Sequence, residues 1–121
     1  FKQKTAYEIP KRDWSSDVYS SDLAALSAVG IVERGGDEQA ALLAMASAKV
    51  RASDAAREAV AIAHQVHGAI GVTDEYELHH LTLRALAWRE EFGNEVYWAR
   101  HIGCAVRQAG ADAYWATLNA I

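Results

Sequence analysis

Cysteine is almost missing from these 121 residues: Cys104 stands alone, so no internal disulfide can form, and a reducing, cytoplasmic setting is the expectation. Proline is as scarce. Pro10 is the only one, and nothing after Leu23 carries the ring that would interrupt a helix. Positive charge is short as well, with 12 Lys and Arg against 16 Asp and Glu, a net charge of −4, and no basic cluster longer than Lys11-Arg12. A phosphate backbone or an anionic membrane surface would find little to neutralise it, so nucleic acid is excluded as an expected partner. No apolar run approaches the roughly 18 to 20 residues that cross a bilayer, and no basic segment followed by a signal-length apolar run is present. What remains is ordinary globular material, 51% hydrophobic and 23% charged, of a length that suits one domain or a piece of one.

From Leu23 onward the chain is rich in Ala, Leu, Glu, Arg and Gln, which reads as all-α. Residues 1–22 differ. The run from Asp13 to Asp22 is crowded with Ser and Asp that compete for backbone hydrogen bonds, so an irregular leader is expected there, with the folded domain over 23–121. Asp13 to Leu23 also resembles the translated read-through of a common sequencing adapter, with Tyr19 in place of cysteine; on that reading the leader carries no evolved information.

Start and stop signals then divide the domain. Ser21 can cap a first helix over Asp22 to Arg34 that stops at Gly35-Gly36, and Asp37 can cap a second from Glu38 to His67. Along the second, Leu43, Ala46, Val50, Ala55, Ala59, Ile62 and Val66 form a stripe of mostly small residues. Gly68 ends it. The loop 69–74 holds Gly71 and two capping residues, Thr73 and Asp74, ahead of a third helix in which Leu78, Leu81, Ala85, Trp88 and Phe92 recur at steps of three and four. Gly93-Asn94 breaks that helix, and Asn94 can cap a fourth in which Trp98, Ile102, Ala105 and Ala109 keep the apolar spacing. Four helices with short connections predict an antiparallel four-helix bundle. Its core is lean, because each buried Ala contributes far less than the roughly 1.5 to 3 kcal/mol of a buried Leu or Phe, so the isolated chain is expected to be marginally stable.

Several residues invite chemistry and fail on spacing. Glu77 and His80 form one Glu-x-x-His pair, but a di-iron bundle needs a second, and none of His64, His67 and His101 has a Glu three residues before it. His64 and His67 lack a further zinc ligand at a usual spacing, so helix-end polar contacts are their expected role and no metal is expected. Cys104 reads as a packed thiol.

The informative segment is Gln65-Val-His-Gly-Ala-Ile-Gly-Val-Thr-Asp-Glu-Tyr76, followed by Trp88-Arg-Glu-Glu-Phe-Gly-Asn94. Together these closely resemble the C-terminal helical domain of the acyl-CoA dehydrogenase family, over about Leu23 to Ile121. The resemblance implies the end of an FAD-dependent enzyme of fatty acid metabolism that oxidises the Cα–Cβ bond of an acyl-CoA thioester. In that family a glutamate removes the α-proton while the β-hydride passes to the flavin. A glutamine-glycine turn touches the FAD of a neighbouring subunit, which carries over to Gln65, Val66, His67, Gly68 and Ala69. Ala69 replaces the family's second glycine. The usual catalytic glutamate position, just before a glycine, is filled by Phe92 ahead of Gly93, which is expected to face the substrate.

Glu91 is the candidate base, displaced by one residue, and about 100° around a helix, so it can serve only if the chain unwinds there. Other members of the family carry the base on an earlier helix, or pair a subunit lacking it with a competent one. The implied partners are an acyl-CoA substrate, an electron-transfer acceptor, and further subunits in a homo- or hetero-oligomer. The middle β-domain that holds most of the flavin is not among these residues, so the 121 residues alone are expected to be inactive. A non-enzymatic helical interaction module is the alternative the periodicity leaves open.

Overall fold

The computed structural model describes residues 14–35, 37–110, 112–113 and 115–116, with the backbone alone for 14–18; the remainder of the expected leader and the tail beyond 116 lie outside the described residues. Four α-helices follow in order: α1 (Trp14–Glu33), α2 (Glu38–His67), α3 (Leu78–Glu90) and α4 (Glu95–Ala109), with a short 3-10 helix, Gly68–Val72, between α2 and α3. No strand occurs among the described residues, as the all-α expectation requires.

Local chemistry explains the boundaries. Asp37 caps α2, its Oδ2 accepting from the Ala40 N–H at 3.3 Å, and α2 then runs 30 residues unbroken. At 1.5 Å per residue that is a rod about 45 Å long. Asn94 caps α4 in the same way, Oδ1 accepting from the Tyr97 N–H at 3.1 Å. Between α1 and α2 the reversal uses Gly35 at φ +64°, where a side chain would be strained.

The first correction concerns the leader. α1 begins at Trp14 rather than Asp22, and Ser21 is a buried residue inside it rather than a cap. Tertiary contact overrides the weak local propensity: Arg51 of α2 donates to Ser20 Oγ at 2.6 Å, and Ala24, Ala28 and Ile31 pack on Ala41, Ala44 and Ala48. The Ser20–Arg51 pair, far from the connecting turn, makes α1 and α2 an antiparallel hairpin.

α3 also lies antiparallel to α2. His64 meets Thr82 near their connection, while Lys49 Nζ reaches the Trp88 carbonyl at 3.0 Å further along. α1, α3 and α4 each make their principal contacts with α2. The long rod is the hub, and its core is small: Ala28, Ile31, Leu43, Ala44, Ala46 and Ala48, with no large side chain fully enclosed among the described residues.

The second correction is to the apolar stripes. Of the expected α3 face, Leu81, Trp88 and Phe92 are exposed, and the buried residue is Thr82, flanked by half-buried Leu78, Ala85 and Arg89. In α2 the stripe is buried at Leu43 and Ala46 and half-buried at Val50, Ala55 and Ile62, but Ala59 and Val66 are exposed while Ser53 is buried. Polar contacts between α2 and α3 set the rotation of α3, and no further layer within the described chain covers its apolar side. α1 shows the same excess: Tyr19, Leu23 and Leu26 lie exposed opposite its buried face. Thr73 does not cap α3, whose N-cap Glu77 makes no side-chain cap bond; the Thr73 hydroxyl instead closes the preceding turn.

Candidate functional site

The C-terminus of α2 turns sharply. Gly68 adopts φ +59°, ψ −142°, its N–H still bonded to the His64 carbonyl, and a Cβ built on it would meet nothing within 4 Å. An L-residue pays roughly 1 to 3 kcal/mol at such a φ and ψ, so glycine is required by conformation, and the open space over its Cα leaves the backbone approachable. Ala69 follows without a positive φ, so its methyl is carried without strain. The 3-10 turn is then closed twice on the Ile70 carbonyl, by the Thr73 N–H at 3.2 Å and the Thr73 hydroxyl at 3.0 Å.

Gly71 is needed for a different reason. It is buried, and a Cβ there would lie 3.0 Å from Leu78 Cδ2, 3.1 Å from His67 Cβ and 3.3 Å from His64 Nδ1. The bend is thus clamped under the edge of the His64 ring and the Cβ of His67. The His67 ring also leans on Tyr76, with centroids 5.3 Å apart. Gln65, Val66, Gly68 and Ala69 are exposed and His67 is half-buried, so the five expected cofactor residues form one accessible corner.

Glu91, Phe92 and Gly93 lie elsewhere. α3 stops at Glu90; Glu91 is extended at φ −65°, ψ 138°, Phe92 takes φ +58° and Gly93 φ +92°. The chain unwinds at the place where a displaced base needs it to. Phe92, expected to end the buried stripe, is instead 91% exposed outside the helix. Its left-handed backbone removes it from the helical frame that the spacing argument assumed.

The turn is braced on all sides. Trp98 Nε1 donates to the Phe92 carbonyl at 3.0 Å, Asn94 Nδ2 donates to Glu90 at 3.1 Å, and Arg89 forms a two-pronged pair with Glu95, Nε to Oε2 at 3.2 Å and the terminal nitrogen to Oε1. The hydrogen bond from Arg89 holds the Glu95 carboxyl below its usual pKa, and the same bond raises that of Arg89. Glu91 itself is exposed and makes no hydrogen bond or ion pair within the described residues.

The structure therefore does not bring all the expected site residues together. Bend and turn sit at opposite ends of α3, whose 13 residues span about 20 Å. Between them a crevice of about 220 Å³ opens, walled by Ala52, Ala56, Ala85 and Trp88, with Lys49 and Arg89 beside it. Among the described residues no three His, Cys, Asp or Glu side chains gather as metal ligands. No described helix is long and apolar enough to cross a membrane.

A family model described as acyl-CoA dehydrogenase, C-terminal domain, matches residues 12–106, more than three quarters of the chain. The chain belongs to the acyl-CoA dehydrogenase family. The matched span takes in the whole of α1, including the part expected to be leader. No curated protein and no solved structure matches the chain. Sequence reasoning missed three features, namely the His64–Thr82 contact, the Arg89–Glu95 clamp and the burial of Gly71. A histidine one residue before the glutamine, and an Arg and Glu six apart across a Gly-Asn break, were the available signals.

Proposed function

We propose that this domain is the C-terminal helical part of an FAD-dependent acyl-CoA dehydrogenase, its bend serving the nucleotide half of FAD and its α3–α4 turn serving the thioester. The observation that carries the reading is the bend: Gly68 at positive φ with open space over its Cα, beside an exposed Gln65, in a chain of this family. The residues present fit a dinucleotide. A backbone bare of Cβ lets a phosphate or ribose approach closely, and the Gln65 amide can both donate and accept.

FAD, when bound, supplies the hydride acceptor at its flavin ring. The chain's own residues supply position and the proton acceptor. Gln65, Val66, His67, Gly68 and Ala69 hold the nucleotide of a neighbouring subunit. Glu91, released from the helix by the unwinding at Phe92, takes the α-proton onto a carboxylate oxygen, while Gly93, facing the substrate side of the turn, is the residue that lets Tyr97 and Trp98 close against it, a Cβ there standing 2.7 Å from Tyr97 Cδ1. The four helices make one antiparallel bundle unit, and the uncovered apolar sides of α1 and α3 are its subunit interfaces, in a dimer or tetramer. An acyl-CoA and a separate electron-transfer acceptor are the partners, the cytoplasm is the site of action, and the 121 residues alone are inactive.

The complete protein, gently purified, should retain FAD and lose its flavin absorbance on mixing with acyl-CoA. Glu91→Gln should slow that reduction by on the order of 10² to 10⁴. A colourless complete protein sinks the cofactor reading, and unchanged reduction in Glu91→Gln removes Glu91 from the mechanism. A subunit lacking its own base is the second reading, favoured by Phe92 at the usual glutamate position; it expects reduction only after a competent partner subunit is added.

A further inference from the structure

We propose that His64 is a positioning residue for the cofactor-facing bend, held in one tautomer by Thr82 and through it tied to the first turn of α3. This rests on the reading of the bend as an FAD contact and extends it to a residue outside the Gln65–Ala69 segment.

The Thr82 hydroxyl has a single hydrogen, and the His79 carbonyl, 3.2 Å away, stands ready to accept it. Its remaining capacity is to accept. We assign the His64 Nε2, 3.0 Å from the same oxygen, as the donor, because the reverse arrangement would leave an N–H at Nδ1 buried with no acceptor; His64 is then the Nε2–H tautomer with a bare lone pair at Nδ1. That Nδ1 is buried with no hydrogen-bond partner in the described structure. The neighbouring histidines carry the opposite arrangement, because Nδ1 of each faces a carbonyl, Ala63 at 2.8 Å from His67 and Tyr76 at 2.7 Å from His79. A carbonyl can only accept, so both rings are protonated at Nδ1.

His64 touches the bend at two points besides this relay. Its own carbonyl takes the Gly68 N–H that sets the left-handed turn, and its Nδ1 edge lies over Gly71, 3.3 Å from where a Cβ would stand. Turning the imidazole moves the ceiling of the bend. The hydroxyl of Thr82, itself buried, is what prevents the ring from turning. The relay thus couples the first turn of α3 to the backbone that meets the nucleotide.

The test uses the complete protein. Thr82→Val keeps the shape and removes the hydroxyl, whereas Thr82→Ser keeps the hydroxyl. FAD titration of the apoprotein should give a Kd weakened about five- to tenfold in Thr82→Val and within about twofold of wild type in Thr82→Ser. Nitrogen-15 histidine spectra should place the His64 proton on Nε2 in wild type and Thr82→Ser, and show that preference lost in Thr82→Val. A purely structural contact would change melting temperature and leave the FAD affinity of the folded protein unmoved. Should Thr82→Val not fold, His64→Leu is titrated to the same threshold. Binding within twofold of wild type in the hydroxyl-free variant, or a His64 proton on Nδ1, overturns the positioning role. A wild-type protein that binds no FAD overturns the cofactor reading, and this role with it.

Discussion

Three glycines predict three different responses to the same added methyl group. At Gly71 the new Cβ would stand 3.0 to 3.3 Å from Leu78, His67 and His64, so the neighbours must yield by a few tenths of an ångström. Leu78 can rotate its terminal methyl. His67 Cβ is fixed to the end of α2 and cannot move without it. Overpacking of this kind costs roughly 1 to 3 kcal/mol, against which the reduced freedom of the unfolded chain returns about 0.4 to 1 kcal/mol. A net loss of about 1 to 2 kcal/mol is expected for Gly71→Ala, and a shift of roughly 4 to 8 °C per kcal/mol makes that visible in a melt of a domain this size. Gly103 lies inside α4 with nothing within 4 Å of its Cβ position, so Gly103→Ala should gain about 0.5 to 1 kcal/mol. Gly68 also has space but sits at φ +59°, ψ −142°, so Gly68→Ala should lose about 1 to 3 kcal/mol through backbone strain alone. Circular-dichroism melts of the three variants are the assay. If Gly71→Ala melts with or above Gly103→Ala, the packing of the bend beneath His64 and His67 is wrong.

Other expectations can be checked on the same chain. Wild type should melt below about 65 °C, because its core is mostly alanine; a cooperative monomeric melt well above that would contradict the reading. Ser53 is 3% exposed with an unpartnered hydroxyl, so Ser53→Ala should stabilise by about 1 kcal/mol, measured by urea denaturation. Glu95 has a lowered folded-state pKa, so its pairing with Arg89 stabilises above the unfolded carboxylate value and is lost as pH falls through the folded one. Glu95→Gln should therefore cost about 1 kcal/mol or less near neutrality and flatten the acid limb of the stability profile; an unchanged acid limb would discount the clamp. Leu23→Lys with Leu26→Lys should leave the melt of dilute protein within a few degrees while abolishing self-association in sedimentation, since both side chains point away from α2.

The boundaries that rest on short-range chemistry were legible in advance. Asp37, Gly68 and Asn94 each decide a helix end through one side chain or one dihedral angle, and α2 runs over the residues expected of it. The N-terminal half of α1 was illegible because its Ser and Asp residues are poor helix formers locally, and only Arg51, 31 positions on, shows why the helix continues. The face of α3 was misread because periodicity finds the most apolar stripe, whereas His64 and Lys49 select the stripe that meets α2. At the site, the bend was readable from Gly68 and its glutamine. The unwinding at Glu91 was not, since nothing in Glu-Phe-Gly announces a phenylalanine with positive φ.

The hub arrangement has a consequence for how this domain tolerates change. Each outer helix reaches the others mainly by way of α2, so a lesion in an outer helix stays local, as a broken spoke leaves the wheel turning. A cut or kink midway along α2 is different in kind: it severs at one stroke the anchorage of the Gly68 bend from that of the α1 hairpin. Drift in the sequence should therefore be easiest to absorb at the rim and hardest along the axle.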